Sequence, residues 1–532
     1  MMKKLLMTLT TGRSVLSIAF CCIMLLTSCT VSNTDMPVTP TPGSEQTAAY
    51  TILYYGHGGG NRENFYLHKI ADFYNAGPDA LKRVNVVVQF KFSTTENLEK
   101  QEYFGADSCQ MYGSKTIRWA IDPAKTFEEQ AYDPASIYGA DNAEHTSPDS
   151  LANFITWAVK TYPAKKYMLI VHDHGGGYTP EGELPETEPA AAARRGMIFD
   201  DGNNNKHFTA KSFRRALTTA GVHFETLFMD ACMMNNLEYQ FELYDLCDYV
   251  IAPTYSKPSV DGAYRMIPQV LSQPMVDIEQ ALNAYCKACV NSWDLAWGVE
   301  ANDTIPNYTD MTVTRTANIP HLGEVLREFT DRLCDTYANG TDAQRAAIDD
   351  CTARAIKVQL NQANYDAVKY VRSLILALPE VYDEAFFYRM GDAFNNCIVA
   401  QYFSHYLTVH EFMVDYSVLL GAEGAYAYIL WRDNEDTGSQ MPYVPYGAYI
   451  FADNGDLNLF KISPTDNPEY YSAEPVGYTA NWGSTLADTY EQSAFDRVVG
   501  WSRWLRLNKQ WPNMFCPNGL YFELPMPQKE IQ

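Results

Sequence analysis

The sequence is short of positive charge. Its 532 residues hold 40 Lys and Arg against 64 Asp and Glu, a net charge of −24, and a surface of that sign repels phosphate backbones and anionic headgroups. Nucleic acid is therefore not an expected partner. The 12 cysteines lack the short regular spacings of a disulfide framework. Cys286 and Cys289 form a C-x-x-C, but "ALNAYCKACVNSW" reads as a helix with no second Cys or His pair beside it, so buried thiols are expected rather than a metal or redox site. No G-x-S-x-G pentapeptide occurs, which removes an esterase nucleophile turn. "HEFMV" at His410 lacks the second His of a zincin. No calcium-loop pattern of the D-x-[DN]-x-[DN]-G kind is present. No metal is assigned, no cofactor is expected to be required, and calcium is left open. Internal repeats are absent as well.

What is present begins with an export signal. Lys3, Lys4 and Arg13 precede an apolar run from Val15 to Leu26, too short to cross a bilayer comfortably. The run ends in Leu26-Thr27-Ser28-Cys29, which resembles the lipobox of bacterial lipoproteins. That resemblance implies residues 1–28 as signal peptide, lipid on Cys29, and 29–47 as a Pro/Thr/Ser-rich tether. It also implies export to the bacterial cell envelope, with the outer membrane or cell surface as the place of anchoring.

Beyond residue 47 the composition, 46% apolar and 13% aromatic, is that of a chain with substantial cores. Tyr50 to Tyr55, Val84 to Phe92, Tyr167 to His172, Thr226 to Asp230 and Tyr249 to Ala252 are apolar runs of strand length. Before the third run, Ser147-Pro148-Asp149 reads as a helix start capped by the Ser147 hydroxyl, and Leu151, Phe154, Ile155, Ala158 and Val159 recur at helical spacing. Strands alternating with helices imply an α/β domain, a mostly parallel sheet flanked by helices, over residues 48–340. From 341 to 532 the alternation fades into an α+β accessory region.

Ligands gather at the carboxyl ends of such strands. There the third strand runs into His172-Asp173-His174-Gly175-Gly176-Gly177 and the fourth into Asp230-Ala231-Cys232. A thiol near neutral pH is mostly protonated, with a pKa of roughly 8.5, and needs a base to become a nucleophile. An imidazole within reach supplies one. Glycines beside the His let amides approach a substrate carbonyl. After Cys232, "MMNNLEYQFELYDL" places Met234, Leu237, Phe241 and Tyr244 on one face, so a helix is expected to start there and to favour a thiolate through its N-terminus. His57, in Gly56-His57-Gly58-Gly59-Gly60-Asn61, competes with His174 for the base. A metal site on His172, Asp173 and His174 is the third reading.

"YPAKKYMLIVHDHGGGY", then "LFMDACMMNNLEY", then "DYVIAPTYSKPSVDGAYRMI", resembles the core of the clostripain family of cysteine peptidases over roughly residues 48–330. The resemblance implies a caspase-like fold, a dyad of His174 and Cys232, and cleavage of protein or peptide substrates after Arg or Lys. It places Asp230 at the floor of the pocket for the basic side chain and Asp261 as a second acidic position. The amides of Gly175 and Cys232 are the implied oxyanion donors. Self-processing after Arg194 or Arg195 is implied as well. Two departures border the substrate groove: the Gly-rich turn at His57, and Tyr255 where the family often has Glu. The alternative from another class is a silent surface binding protein that keeps the fold.

Overall fold

The computed structural model describes residues 47–101, 103–178, 196–254, 257–297, 309–353, 367–404, 448–451, 457–464, 471–480 and 491–507. All of them belong to one compact unit, Thr47–Gln532. Cys29, Arg194, Arg195 and Tyr255 lie outside the described residues, as do the expected signal peptide and most of the tether.

A nine-stranded sheet organises this unit. Its centre is five parallel strands, in spatial order β9 (Cys247–Ala252), β8 (Phe224–Asp230), β5 (Ala164–His172), β1 (Ala48–His57) and β2 (Val84–Lys91). These are the five apolar runs legible in the sequence. Each edge is closed by antiparallel strands: β3 (Thr116–Ala120) and β4 (Ile137–Tyr138) on one side, β10 (Asp310–Arg315) and β11 (Ile398–Phe403) on the other. A separate hairpin of β6 (Met197–Asp200) and β7 (Lys206–Phe208) follows β5 in the chain. β12 (Ala448–Phe451), β13 (Leu457–Pro464) and β14 (Tyr471–Ala480) form a three-stranded antiparallel sheet.

Alternation along the central strands feeds two cores. Leu53, Tyr55, Leu169, Val171, Leu227 and Met229 face one, built with the helices Pro148–Thr161, Ala210–Ala220 and Ile319–Asn339. Ile52, Tyr54, Met168, Ile170 and Phe228 face the other, with the helices Glu63–Tyr74 and Ile278–Trp297. Each fully buried Leu, Ile, Val, Phe or Met stabilises this arrangement by roughly 1.5–3 kcal/mol relative to exposure. A sheet covered on both faces holds its strand ends rigidly, and the site depends on that. Among the described residues no helix is long and apolar enough to cross a membrane.

Two local expectations are corrected. Ser147 is the N-cap of its helix, but its side chain makes no capping hydrogen bond; Pro148 and Asp149 occupy the first turn. The helix expected directly after Cys232 starts only at Leu237, because Asn236 is its N-cap and accepts from the Tyr239 amide at 3.1 Å. Residues 231–236 form an irregular turn in which Met233 has φ +59°. The helix therefore does not begin at Cys232.

Candidate active site

β5 and β8 pair in parallel, with His172 opposite Asp230. Two residues beyond that pair, both chains have left the sheet, at His174 and at Cys232. Gly175 closes the space between them: a Cβ there would lie 2.3 Å from the Cys232 carbonyl oxygen and 2.8 Å from its nitrogen. Only glycine permits that approach, so the residue next to His174 rests on the peptide of Cys232. The same segment is tied to the start of the hairpin, Gly176 donating to the Gly196 carbonyl at 2.9 Å, Gly196 to Gly177 at 3.0 Å and Ile198 to His174 at 3.2 Å.

Eight cysteines lie among the described residues; seven are buried and Cys232 alone is partly exposed. The Lys257 amide donates to its Sγ at 3.4 Å. His174 is partly exposed as well, and its Nε2 lies 3.1 Å from Asn61 Oδ1. The Gly-rich turn makes room for the ring, since a Cβ on Gly59, whose φ is +64°, would come within 2.7 Å of His174 Cδ2.

Asp230 is fully buried. Its Oδ1 is 2.8 Å from Lys257 Nζ, and its Oδ2 is 3.3 Å from Lys69 Nζ and accepts from the Tyr264 hydroxyl. Burial opposes its ionisation, but the Lys257 and Lys69 charges more than reverse this and hold the carboxyl well below the usual range. Lys257 is likewise buried against its own charge, and Asp230 keeps it above the ordinary lysine value. Lys69 comes down to about 8, through burial joined by the repulsion of Lys257, despite Asp230. His172 completes this cage, with Nδ1 on the Tyr54 hydroxyl and Nε2 3.3 Å from Asp230 Oδ2 and 3.5 Å from Lys257 Nζ. Burial holds its ring neutral. Both ring nitrogens are engaged, so the pairing of His172 and His174 on one metal is not built.

His57 is fully buried in a different network. Its Nδ1 accepts from the Gly59 amide at 2.8 Å and its Nε2 faces Asp201 Oδ1 at 3.3 Å, with Asp173 and Asp200 within 3.7 Å of the ring. A ring enclosed in this way has no access to a substrate. His57, Asp200 and Asp201 are the described residues grouped closely enough to hold an ion, but Lys91 Nζ already bonds both Asp200 oxygens at 2.7 and 2.8 Å. Calcium asks for six to eight oxygen ligands. An imidazole and a resident ammonium do not fit that requirement.

A model of the clostripain family matches residues 119–410, more than half of the chain, including β5, β8 and β9. The chain belongs to the clostripain family. It is a cysteine peptidase by that membership, with the central parallel sheet and flanking helices that the resemblance implied. Similar solved structures include a secreted C11 cysteine protease from Bacteroides thetaiotaomicron, 15% identical, covering 68% of this chain and 88% of that one with a TM-score of 0.48. A secreted C11 cysteine protease from the same organism, in complex with an irreversible peptide inhibitor, is 16% identical over 67% and 85%, TM-score 0.46. An inactive zymogen C11 protease from Parabacteroides distasonis is 14% identical over 86% and 99%, TM-score 0.47. No curated protein matches the chain.

Within this clostripain-family site, Asp261 is exposed on the loop after β9, with φ +50° and its Oδ1 accepting from the Ala263 amide at 3.0 Å. The next residue borders Lys69, whose Nζ would lie 3.5 Å from a Cβ on Gly262. Sequence reasoning missed Asn61, Lys69, Lys257 and Tyr264. One signal was available for Lys69, which shares a helical stripe with Tyr66, Ile70 and Phe73 and is buried with them. A lysine on an apolar stripe calls for a buried partner.

Proposed function

We propose that this peptidase attacks peptide bonds with Cys232 as nucleophile and His174 as acid and base. The supporting observation is that Cys232, partly exposed among buried thiols, sits against the segment that carries His174. The imidazole takes the thiol proton as sulfur adds to the substrate carbonyl, and returns it to the departing amine as the C–N bond breaks. A water then adds to the thioester, with His174 again as base, and releases the acid product and the free thiol. The Gly175 and Cys232 amides are the proposed donors to the oxyanion. No step requires a metal.

The resemblance also carries a preference for Arg or Lys. Exposed Asp261 supports it; the two lysines already on Asp230 oppose it. Reporter peptides differing only in the residue before the cleaved bond, Arg, Lys, Ala or Asp, test the reading. Wild type is expected to cleave at least one, and Cys232→Ala and His174→Ala are each expected to lose at least about 10³-fold in kcat/KM. Turnover that survives Cys232→Ala would reject the dyad. The same preparations test self-processing at Arg194 or Arg195, for which wild type should purify in two pieces and Cys232→Ala intact.

Export with a lipid on Cys29 is proposed alongside, supported by the Leu26–Cys29 sequence. Detergent phase partition checks it: the full chain should enter the detergent phase and Cys29→Ala the aqueous one. Equal partition of the two would remove the anchor.

A further inference from the structure

We propose that Lys257 is a specificity-determining residue which occupies, from within the chain, the place on Asp230 that a basic substrate side chain would take, so that this peptidase disfavours bonds after Arg or Lys. The inference rests on the Cys232 reading above and replaces its basic preference and, with it, self-processing after Arg194 or Arg195; a cut there would come from another peptidase.

Lys257 spans the distance a substrate residue would have to span. Its backbone amide lies 3.4 Å from Sγ of Cys232, the proposed nucleophile, and its ammonium lies 2.8 Å from Oδ1 of Asp230, the carboxylate that the family resemblance assigns to a basic side chain. Its side chain is buried along that path, 2% exposed. Pro258 follows, which disfavours helical backbone at Lys257, and Nζ also approaches His172 Nε2 at 3.5 Å. Backbone at the thiol and cation at the carboxylate is the arrangement that cleavage after lysine requires of a substrate.

The charge count excludes a second basic occupant. Asp230 offers one negative charge, and Lys257 and Lys69 already supply two positive ones, with His172 held neutral by burial. Each carboxylate oxygen faces a cation, Oδ1 in the ion pair with Lys257 and Oδ2 beside Lys69, where it also accepts from the Tyr264 hydroxyl. A substrate guanidinium entering this cage would be a third cation on one carboxylate, in a buried setting where like charges repel strongly. If Lys257 is removed, Asp230 keeps Lys69, and an incoming arginine restores the present two-to-one ratio. The variant should therefore gain what the wild type lacks.

The experiment compares wild type, Lys257→Met and Lys257→Gln on the full chain, the second variant retaining a polar group should methionine prevent folding. The Arg and Ala reporters are read as a ratio of kcat/KM. Wild type should favour Ala by at least tenfold, and removing the ammonium should shift the ratio toward Arg by at least tenfold. In parallel, binding of agmatine, a guanidinium with no cleavable bond, is measured by calorimetry in the Cys232→Ala background. It should be at least tenfold tighter once Lys257 is replaced. Wild type that prefers Arg, or variants with unchanged ratio and unchanged agmatine affinity, would overturn the assignment. The two readings fail separately. Agmatine gained without turnover of any reporter sinks the dyad and keeps Lys257, whereas Cys232-dependent turnover indifferent to Lys257 does the reverse.

Discussion

Two buried charge clusters lie under the rim of the sheet, and their signs are opposite. Beneath Cys232, one carboxylate, Asp230, is shared by Lys69 and Lys257. Beneath the turn that seats His174, three carboxylates, Asp173, Asp200 and Asp201, surround one lysine, Lys91, and the ring of His57. The first cluster is short of anions and the second short of cations. A buried group in short supply cannot be spared, while one in excess can, so equivalent-looking aspartates should differ in what they contribute.

That contrast is open to direct attack. Asp230→Ala strands two ammoniums and should cost about 3–5 kcal/mol in a urea titration. A smaller effect comes from pH. Lys69 is lowered to about 8 in the fold against about 10.5 in the unfolded chain, so between those values the unfolded state binds more protons and stability rises with pH. Wild type should gain on Lys69→Met by about 1–2 kcal/mol from pH 7 to 9.5; a loss would mean Asp230 dominates burial at this site. Smallest is Asp201→Asn, expected to cost about 1 kcal/mol: against its burial, His57 holds this carboxyl down at about 2, but Asp173 and Asp200 remain beside the ring and an amide can still meet Thr94 and Asn97. An Asp201→Asn cost equal to that of Asp230→Ala would erase the distinction.

The central strands were legible because burial on both faces leaves them continuously apolar, as in "TILYY" and "VNVVVQFK". The edge strands were not. Thr116–Ala120 and Asp310–Arg315 mix Thr, Arg and Asp into short runs, which resemble loop sequence until a neighbour pairs with them. Strand-end position made His174 and Cys232 candidates without separating His174 from His57, which also ends a strand; the family motif favoured His174. The cage was hidden for another reason: Lys69 and Asp230 are separated by 161 residues, and an ion pair across that interval leaves no local pattern. Cap and helix-start errors at Ser147 and Asn236 were choices between adjacent hydrogen-bond donors and acceptors, which composition does not decide.

The three backbone hydrogen bonds that join 174–177 to 196–198 bracket the interval containing both candidate arginines. Beneath them, β5 and β8 remain zipped along the sheet. Scission inside that bracket would yield two polypeptides still clasped as one body, with the imidazole on the first and the sulfur on the second. Maturation of this kind would alter covalent continuity while leaving the proposed catalytic pair where folding put it.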